Sequence, residues 1–126
     1  ANKKMGNLRF CVANNVPHSL IPQFTSACDV ILCTSETEGW PNSVKEALAC
    51  NVPFVSTNVG DLSDIAREEP TCRICPPDPY ILADNICDVL HSERPKNLRR
   101  FVAEMDVTVI SKRLFFLYRE ILSNQE

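Results

Sequence analysis

The 126-residue chain carries 44% hydrophobic and 23% charged residues, which is ordinary for one soluble globular domain, and we predict that this domain spans residues 1–126. A formal net charge of −3 argues against a nucleic-acid-binding surface, where a basic excess is expected. No apolar run approaches the roughly 20 residues that span a bilayer and no signal-peptide pattern opens the chain, so the expected location is the cytoplasm.

Three apolar runs in the first half of the chain are predicted as strands. The first covers residues 8–13, and the other two, 30–34 and 53–57, are short, β-branched and bounded by polar turn residues. Between the second and third runs, apolar residues recur at helical spacing across 44–48. A strand, a helix and a strand in this order predict a parallel βαβ unit, because the crossover is right-handed.

The helix of this unit has predicted start and stop residues. Pro41 suits its first turn, where the missing N–H would be unpaired in any case, and Asn42 or Ser43 could provide the cap. At the other end, Asn51 occupies the position where a left-handed residue is wanted, and Pro53 prevents continuation.

Two glutamates, Glu38 and Glu46, flank the start of this helix and allow two interpretations each. Ser43 and Glu46 fit the capping box, in which the glutamate only returns a hydrogen bond to the cap residue. Alternatively, the helix N-terminus offers a place for phosphate and the carboxylate accepts from sugar or ribose hydroxyls. Glu38 is either an exposed loop acid or a ligand contact, and Gly39 beside it permits an unusual φ and a close backbone approach.

The second half of the chain supplies scaffold. We predict a short helix from Asp61 or Ser63 through residue 67, a strand at 73–75, and a helix that Asp78 caps and Pro79 begins. The closing helices are expected at about 95–122. The apolar stripe of the last helix is interpreted as core packing, although the loss of a partner domain could leave it exposed; its members are Ile110, Leu114, Leu117 and Ile121.

The seven cysteines are odd in number and mostly lie in apolar contexts, so we interpret them as reduced core residues. Cys72 and Cys75 form a CxxC that could indicate zinc or redox chemistry. A second ligand pair is missing, and two positions three apart in a strand face opposite sides of the sheet, so we predict no metal site.

Several other polar or aromatic residues also allow two interpretations. His18 is either solvated or catalytic, with the solvated state favoured, and Trp40 either stacks beside a ligand or packs its own loop. A basic cluster is interpreted as a solvated helix face, with contact to an anionic membrane or an acceptor as the alternative; it comprises Arg94, Lys96, Arg99 and Arg100.

Residues 38–49, EGWPNSVKEALA, followed by 51–55 and 59–61, carry a family resemblance. They resemble the signature of the retaining, nucleotide-sugar-dependent glycosyltransferases of group 1, or family 4 type, which include sucrose and glycogen synthases and many mannosyltransferases. The signature has two glutamates separated by seven residues, a glycine after the first, an alanine after the second, and then a proline-led strand. The similarity covers the chain from about residue 12 onward.

The resemblance implies the C-terminal, donor-binding domain of a GT-B fold: an α/β, Rossmann-like three-layer domain with a parallel sheet. It implies that Glu46 hydrogen-bonds the ribose hydroxyls of the nucleotide and that Glu38, the expected catalytic residue, contacts the transferred sugar. Backbone N–H groups between them approach the sugar and the diphosphate, while Pro41 shapes the loop without donating. The implied donor-binding residues are Glu38, Gly39, Trp40, Pro41, Asn42, Ser43 and Glu46.

The resemblance also implies the cofactors and partners. The donor is a nucleotide-diphosphate sugar, no cofactor or metal is expected, and the acceptor is a glycan or a lipid-linked group. Nothing in the chain matches the family's acceptor domain or its diphosphate-neutralising Arg and Lys. We therefore expect a domain fragment or half of a split enzyme, inactive alone, with the acceptor domain in cis or as a separate subunit, no nucleic-acid partner and only peripheral membrane contact.

Two other functions are compatible with the same architecture. The first is a non-catalytic nucleotide-sugar-binding or regulatory module that has lost the acceptor half. The second is a nucleotide-sugar epimerase domain, although epimerases generally lack this Glu-Gly-x-Pro pattern.

Overall fold

Three short parallel strands form the sheet in the computed structural model, which describes residues 6–123. They are β1 (Ile31–Cys33), β2 (Phe54–Ser56) and β3 (Arg73–Ile74), and they lie in the order β1-β2-β3. Both pairings are parallel. The predicted βαβ unit and the predicted third strand are therefore confirmed.

Five α-helices and three 3₁₀ turns surround this sheet among residues 6–123. The α-helices are α1 (Ile21–Ser26), α2 (Asn42–Ala49), α3 (Leu62–Glu68), α4 (Pro79–His91) and α5 (Val107–Ser123). The 3₁₀ turns are His18–Leu20, Leu98–Phe101 and Ala103–Met105. None of these helices combines the length and the apolar character needed to cross a membrane.

The core lies on both faces of the sheet because neighbouring residues of β2 point to opposite sides. Phe54 packs on one face with buried residues of α2, α3 and the Leu98–Phe101 turn, while Val55 packs on the other face with α4. Each fully buried aliphatic or aromatic side chain stabilises the fold by about 1.5–3 kcal/mol. The predicted fold class, an α/β Rossmann-like three-layer arrangement with a parallel sheet, is confirmed.

The start of α4 follows the sequence prediction. The Asp78 carboxylate accepts from the backbone N–H groups of Tyr80 at 2.8 Å and Ile81 at 3.0 Å, and Pro79 occupies the first helical position. The predicted apolar face of this helix packs against the sheet through Leu82, Ile86 and Val89. The Asp78 cap begins α4, and the apolar face places this helix on the side of the sheet opposite α2 and α3.

The strand predicted at residues 8–13 is not formed. The segment has no regular secondary structure, and Phe10 and Val12 are 81% and 69% exposed. An extended run becomes a strand only where a neighbour completes its hydrogen-bond ladder. The sheet of the described residues contains only the three strands given above, so this run has no ladder partner.

The core packing predicted for the last helix is wrong. No α5 side chain is buried, and the stripe residues Ile110, Leu114, Leu117 and Ile121 are between 42% and 49% exposed. The helix follows the Ala103–Met105 turn, and nothing within residues 6–123 covers its apolar face. The exposed apolar patch, named above as the alternative, is what the structure has.

The exposure of α5 predicts a small stability effect for truncation on its stripe. Leu117→Ala should change the free energy of unfolding by less than about 0.5 kcal/mol, because 49% of the leucine stays exposed and no buried residue lies on this helix. Leu90→Ala is the matched control, since this half-buried leucine of α4 should cost about 1–2 kcal/mol. Urea unfolding of the two variants measures both values, and equal losses would show that α5 is packed in solution.

The four residues of the basic cluster are exposed, as predicted, but they do not lie on one helix face. Arg94 precedes the Leu98–Phe101 turn and donates to the backbone carbonyls of Ser26 at 3.2 Å and Asn51 at 3.4 Å, and the Arg100 guanidinium lies 4.4 Å from the centre of the Phe101 ring. The helical pattern failed here because Pro95 and the short turn interrupt it. Arg94 instead ties the end of α1 to the end of α2.

All seven cysteines are free thiols, and four of them are buried: Cys33, Cys72, Cys75 and Cys87. Cys11 is exposed, contrary to the core assignment. Cys72 packs in the Phe54 cluster and Cys75 in the Val55 cluster, so the two lie on opposite faces of the sheet, as predicted. Burial raises the pKa of the Cys72 thiol to about 11 and also raises the pKa of the Cys75 thiol, which keeps both protonated and weakly reactive at neutral pH.

Candidate functional site

An open cleft of about 570 Å³ lies where the three strands end. Its lining follows β1, β2 and β3 in turn and consists of Ser35, Glu36, Thr57, Asn58, Ile74, Cys75, Pro76 and Pro77. The carboxyl ends of parallel strands are the usual ligand-binding edge of such sheets. The predicted glutamates are outside this lining, so the cleft adjoins the predicted site without containing it.

None of these lining residues was predicted as a donor-site residue. The signal that could have found them is positional: a polar residue follows each of the first two strands within two positions of its end, at Ser35 and Thr57. Once the βαβ unit is recognised, such positions meet at one edge of the sheet.

The loop from β1 to α2 carries Glu38 and is tied to the end of β2. The Thr57 hydroxyl donates to the Ser35 carbonyl at 2.6 Å, and the Ser35 hydroxyl donates to Glu38 Oε1 at 3.1 Å. Glu38 itself is exposed. The side chain is thus linked to the sheet through two hydrogen bonds while its remaining carboxylate lone pairs face solvent.

Gly39 does not use the unusual φ that glycine permits, and the residue that requires glycine is Gly60. Gly39 has no positive φ, and a Cβ there would meet nothing within 4 Å. Gly60 has φ +52°, and a Cβ there would lie 2.3 Å from the Gly39 carbonyl oxygen. The loop after β2 therefore approaches the Glu38 loop closely at a position where only glycine fits.

Trp40 packs its own loop. The half-buried ring lies against the Phe54 core cluster, and Lys45 Nζ is 5.4 Å from the ring centre. Pro41 next to it is buried. Of the two interpretations of Trp40, the structure supports loop packing, and this packing anchors the loop immediately before α2.

The cap of α2 was predicted at Asn42 or Ser43, one or two positions after the residue that holds it. Pro41 is the N-cap, with φ −61° and ψ 122°, Asn42 is the first helical residue, and no side chain caps the helix. Proline has the φ that this cap position needs, and its extended ψ suits the junction. Ser43 is thus the second helical residue, and the capping box with Glu46 does not form.

Glu46 makes no capping hydrogen bond, and its side chain lies beside a histidine instead. Its side chain is 39% exposed, and Oε1 lies 3.7 Å from Nε2 of His18, whose side chain is 93% exposed. His18 is solvated, as predicted, yet it also lies beside the second glutamate of the motif. Among residues 6–123, no group of three His, Cys, Asp or Glu side chains has the arrangement of a metal site.

Comparison with known protein families matches residues 3–92 to the family described as Glycosyl transferases group 1. The chain belongs to this family. A relative of this chain, the putative teichuronic acid biosynthesis glycosyltransferase TuaC of Bacillus subtilis (strain 168), is 32% identical to it over 82 residues. That alignment covers 65% of this chain and 21% of the relative, and no solved structure matches.

Membership of the group 1 glycosyl transferases confirms the resemblance found in the sequence and connects the fold with sugar transfer. The matched residues include the whole region from β1 to α4, with the Glu38 loop, the start of α2 and the glycine-mediated contact. The α5 helix lies beyond the match.

Proposed function

We propose that this chain is the donor-binding domain of a retaining glycosyltransferase that moves a sugar from a nucleotide-diphosphate sugar to a glycan or lipid-linked acceptor. The observation that carries the proposal is the uncapped start of α2, beside a Glu46 carboxylate that makes no capping bond. Membership of the group 1 glycosyl transferases supports sugar transfer in general, and the biosynthetic role in the relative's name supports the acceptor class.

The start of α2 is proposed to hold the diphosphate. The first N–H groups of a helix have no partner within the helix, and its dipole favours negative charge there. With Pro41 as the N-cap, the N–H groups of Asn42 and Ser43 lie in the first turn, where no side chain occupies them. The N–H groups of Gly39 and Trp40 come from the preceding loop and are proposed to contact the sugar and the diphosphate.

The two glutamates are proposed to recognise neutral hydroxyls rather than anions. Glu46, one turn into α2, would accept from the ribose hydroxyls, which lie next to the diphosphate in the donor. Glu38, the proposed catalytic residue, would accept from hydroxyls of the transferred sugar. Its hydrogen bond from Ser35, at 3.1 Å, supports a fixed carboxylate position in the otherwise exposed loop.

The chemical contribution of the domain is positioning and charge stabilisation. In the proposed retaining mechanism, the acceptor attacks from the face that the diphosphate leaves, and the diphosphate takes the acceptor proton. No protein nucleophile, cofactor or metal takes part. The acceptor-binding domain is proposed to act in cis or as a separate subunit, so these 126 residues alone are expected to bind the donor without turnover. The proposed location is the cytoplasm, with membrane contact only at the periphery.

Removal of one carboxylate charge at a time should separate the two proposed roles. Glu46→Gln should weaken binding of the free nucleoside diphosphate about tenfold, because a hydrogen bond to a charged acceptor is worth about 1.5–3 kcal/mol and glutamine retains part of it. Glu38→Gln should leave that affinity unchanged and reduce only the additional affinity gained from the sugar. Calorimetry with a nucleoside diphosphate and its sugar conjugate measures both.

Glu68→Gln is the matched control, because this exposed glutamate ends α3 at the edge of the sheet opposite the strand carboxyl ends. It should bind both ligands as the unmodified chain does. The base is chosen beforehand by a thermal-shift panel of UDP-, GDP- and ADP-sugars, since a bound donor raises the melting temperature. Unchanged binding in both site variants would remove the glutamates from the donor site, and no shift with any donor would contradict the proposed function.

A further inference from the structure

His18 and Glu46 form a pair that joins two separate parts of the chain. His18 begins a 3₁₀ turn before α1, while Glu46 is on α2, and His18 Nε2 lies 3.7 Å from Glu46 Oε1. We propose that His18 is a positioning residue that orients the Glu46 carboxylate for the ribose. The proposal rests on the proposed function, in which Glu46 is the ribose contact.

The backbone around His18 holds it in place despite its exposure. The Leu20 N–H donates to the Pro17 carbonyl at 2.8 Å, which closes the turn, and the turn leads directly into α1. The Pro22 carbonyl of α1 faces the Cys50 thiol at the end of α2 at 3.8 Å. His18 is therefore presented to α2 by a short, proline-bordered element rather than by a free loop.

The geometry leaves room for a ligand at Glu46. A carboxylate has two oxygens and about four acceptor sites, so contact between Oε1 and the ring leaves the second oxygen for a hydroxyl. The Glu46 side chain is 39% exposed and makes no capping bond, so nothing within α2 restricts its carboxylate. A positive charge at His18 would limit it to the orientations that face the turn.

Few other charges act on this pair from the elements around it. The α1 segment Ile21–Ser26 has no ionisable side chain. On α2 the ionisable residues are Lys45 and Glu46, and Lys45 Nζ is engaged with Asn42 Oδ1 at 3.3 Å and with the Trp40 ring. Arg9 and Cys11 lie in the exposed segment before the turn. Glu46 is thus the charged group paired with His18.

The expected effect of the pair is modest. Exposed ion pairs contribute only about 0–1 kcal/mol, so removal of the His18 contact should weaken the binding of a nucleoside diphosphate about two- to fivefold.

Calorimetry on the full chain, with UDP, GDP and ADP as probes, tests the proposal in three variants. His18→Gln should bind about two- to fivefold more weakly than the unmodified chain. His18→Lys, which keeps a cationic partner for Glu46, should retain the stronger binding. In the Glu46→Gln background, His18→Gln should have no further effect. Thermal melting of each variant checks that the fold is intact.

The outcomes separate this proposal from the proposed function. If Glu46→Gln weakens binding but His18→Gln binds as tightly as the unmodified chain, the histidine proposal is wrong and the donor site stands. If the two substitutions have additive effects, His18 does not act through Glu46 and the proposal is also wrong. If no diphosphate binds the unmodified chain, both proposals are overturned.

Discussion

Gly60→Ala is expected to lower the free energy of unfolding by about 2–4 kcal/mol and to weaken nucleotide binding more than about tenfold. Two costs combine. A φ of +52° costs a non-glycine residue about 1–2 kcal/mol, and the new Cβ would lie 2.3 Å from the Gly39 carbonyl oxygen. That oxygen belongs to the backbone, so the clash is relieved only if one of the two loops moves.

The movement should reach the binding site because the Gly39 loop has little freedom to absorb it. On the C-terminal side of Gly39, the Trp40 ring packs on the core and Pro41 caps α2. On its N-terminal side, Glu38 is hydrogen-bonded to Ser35, which is itself hydrogen-bonded to Thr57 after β2. Displacement of Gly39 therefore shifts the first turn of α2 or breaks the Glu38 hydrogen bond, and either change acts on the proposed donor contacts.

Gly39→Ala is the control for this prediction. Its φ is not positive and a Cβ there meets nothing within 4 Å, so the free energy of unfolding should change by less than about 0.5 kcal/mol. Urea unfolding measures the stability of the two variants, and calorimetry with a nucleoside diphosphate measures their affinity. If Gly60→Ala were as stable as Gly39→Ala, the close approach of the two loops would be absent in solution.

The parts of the fold that were predictable depend on local patterns. The runs at 30–34 and 53–57 became parallel strands, and Asp78 with Pro79 began α4, because apolar periodicity and cap chemistry act over a few residues. The segment at residues 8–13 has the same kind of pattern but remains unpaired. Strand formation also needs a neighbouring strand, and a local pattern does not say whether one is present.

The site shows the same division between local and long-range information. The motif located Glu38 and Glu46 on a loop and a helix, but whether Glu46 forms a capping box depends on which residue begins α2, and Pro41 took the cap position. The contacts between Thr57 and Ser35 and between His18 and Glu46 span 22 and 28 positions in sequence. No pattern within a short window contains them.

Asn51→Ala is the second substitution with a large expected effect, about 2–3 kcal/mol lost from the free energy of unfolding. Asn51 was predicted as a left-handed helix end, and its φ of +56° confirms this. Glycine would also tolerate this φ, and the hydrogen bonds of the side chain explain the asparagine. Its Oδ1 accepts from the backbone N–H groups of Leu98 at 2.8 Å and Arg99 at 3.3 Å, which fixes the turn that buries Leu98 in the core.

Two further substitutions separate the backbone conformation from the hydrogen bonds. Asn51→Gly keeps the positive φ but removes the acceptor, so it should cost about 1 kcal/mol. Asn51→Asp keeps an acceptor oxygen and tolerates the left-handed conformation, so it should cost less than about 0.5 kcal/mol. Urea unfolding should therefore rank the variants Asp, Gly and Ala in order of decreasing stability. If glycine were as stable as asparagine, the bonds from Asn51 to the Leu98–Phe101 turn would contribute nothing, and burial of Leu98 alone would hold that turn against α2.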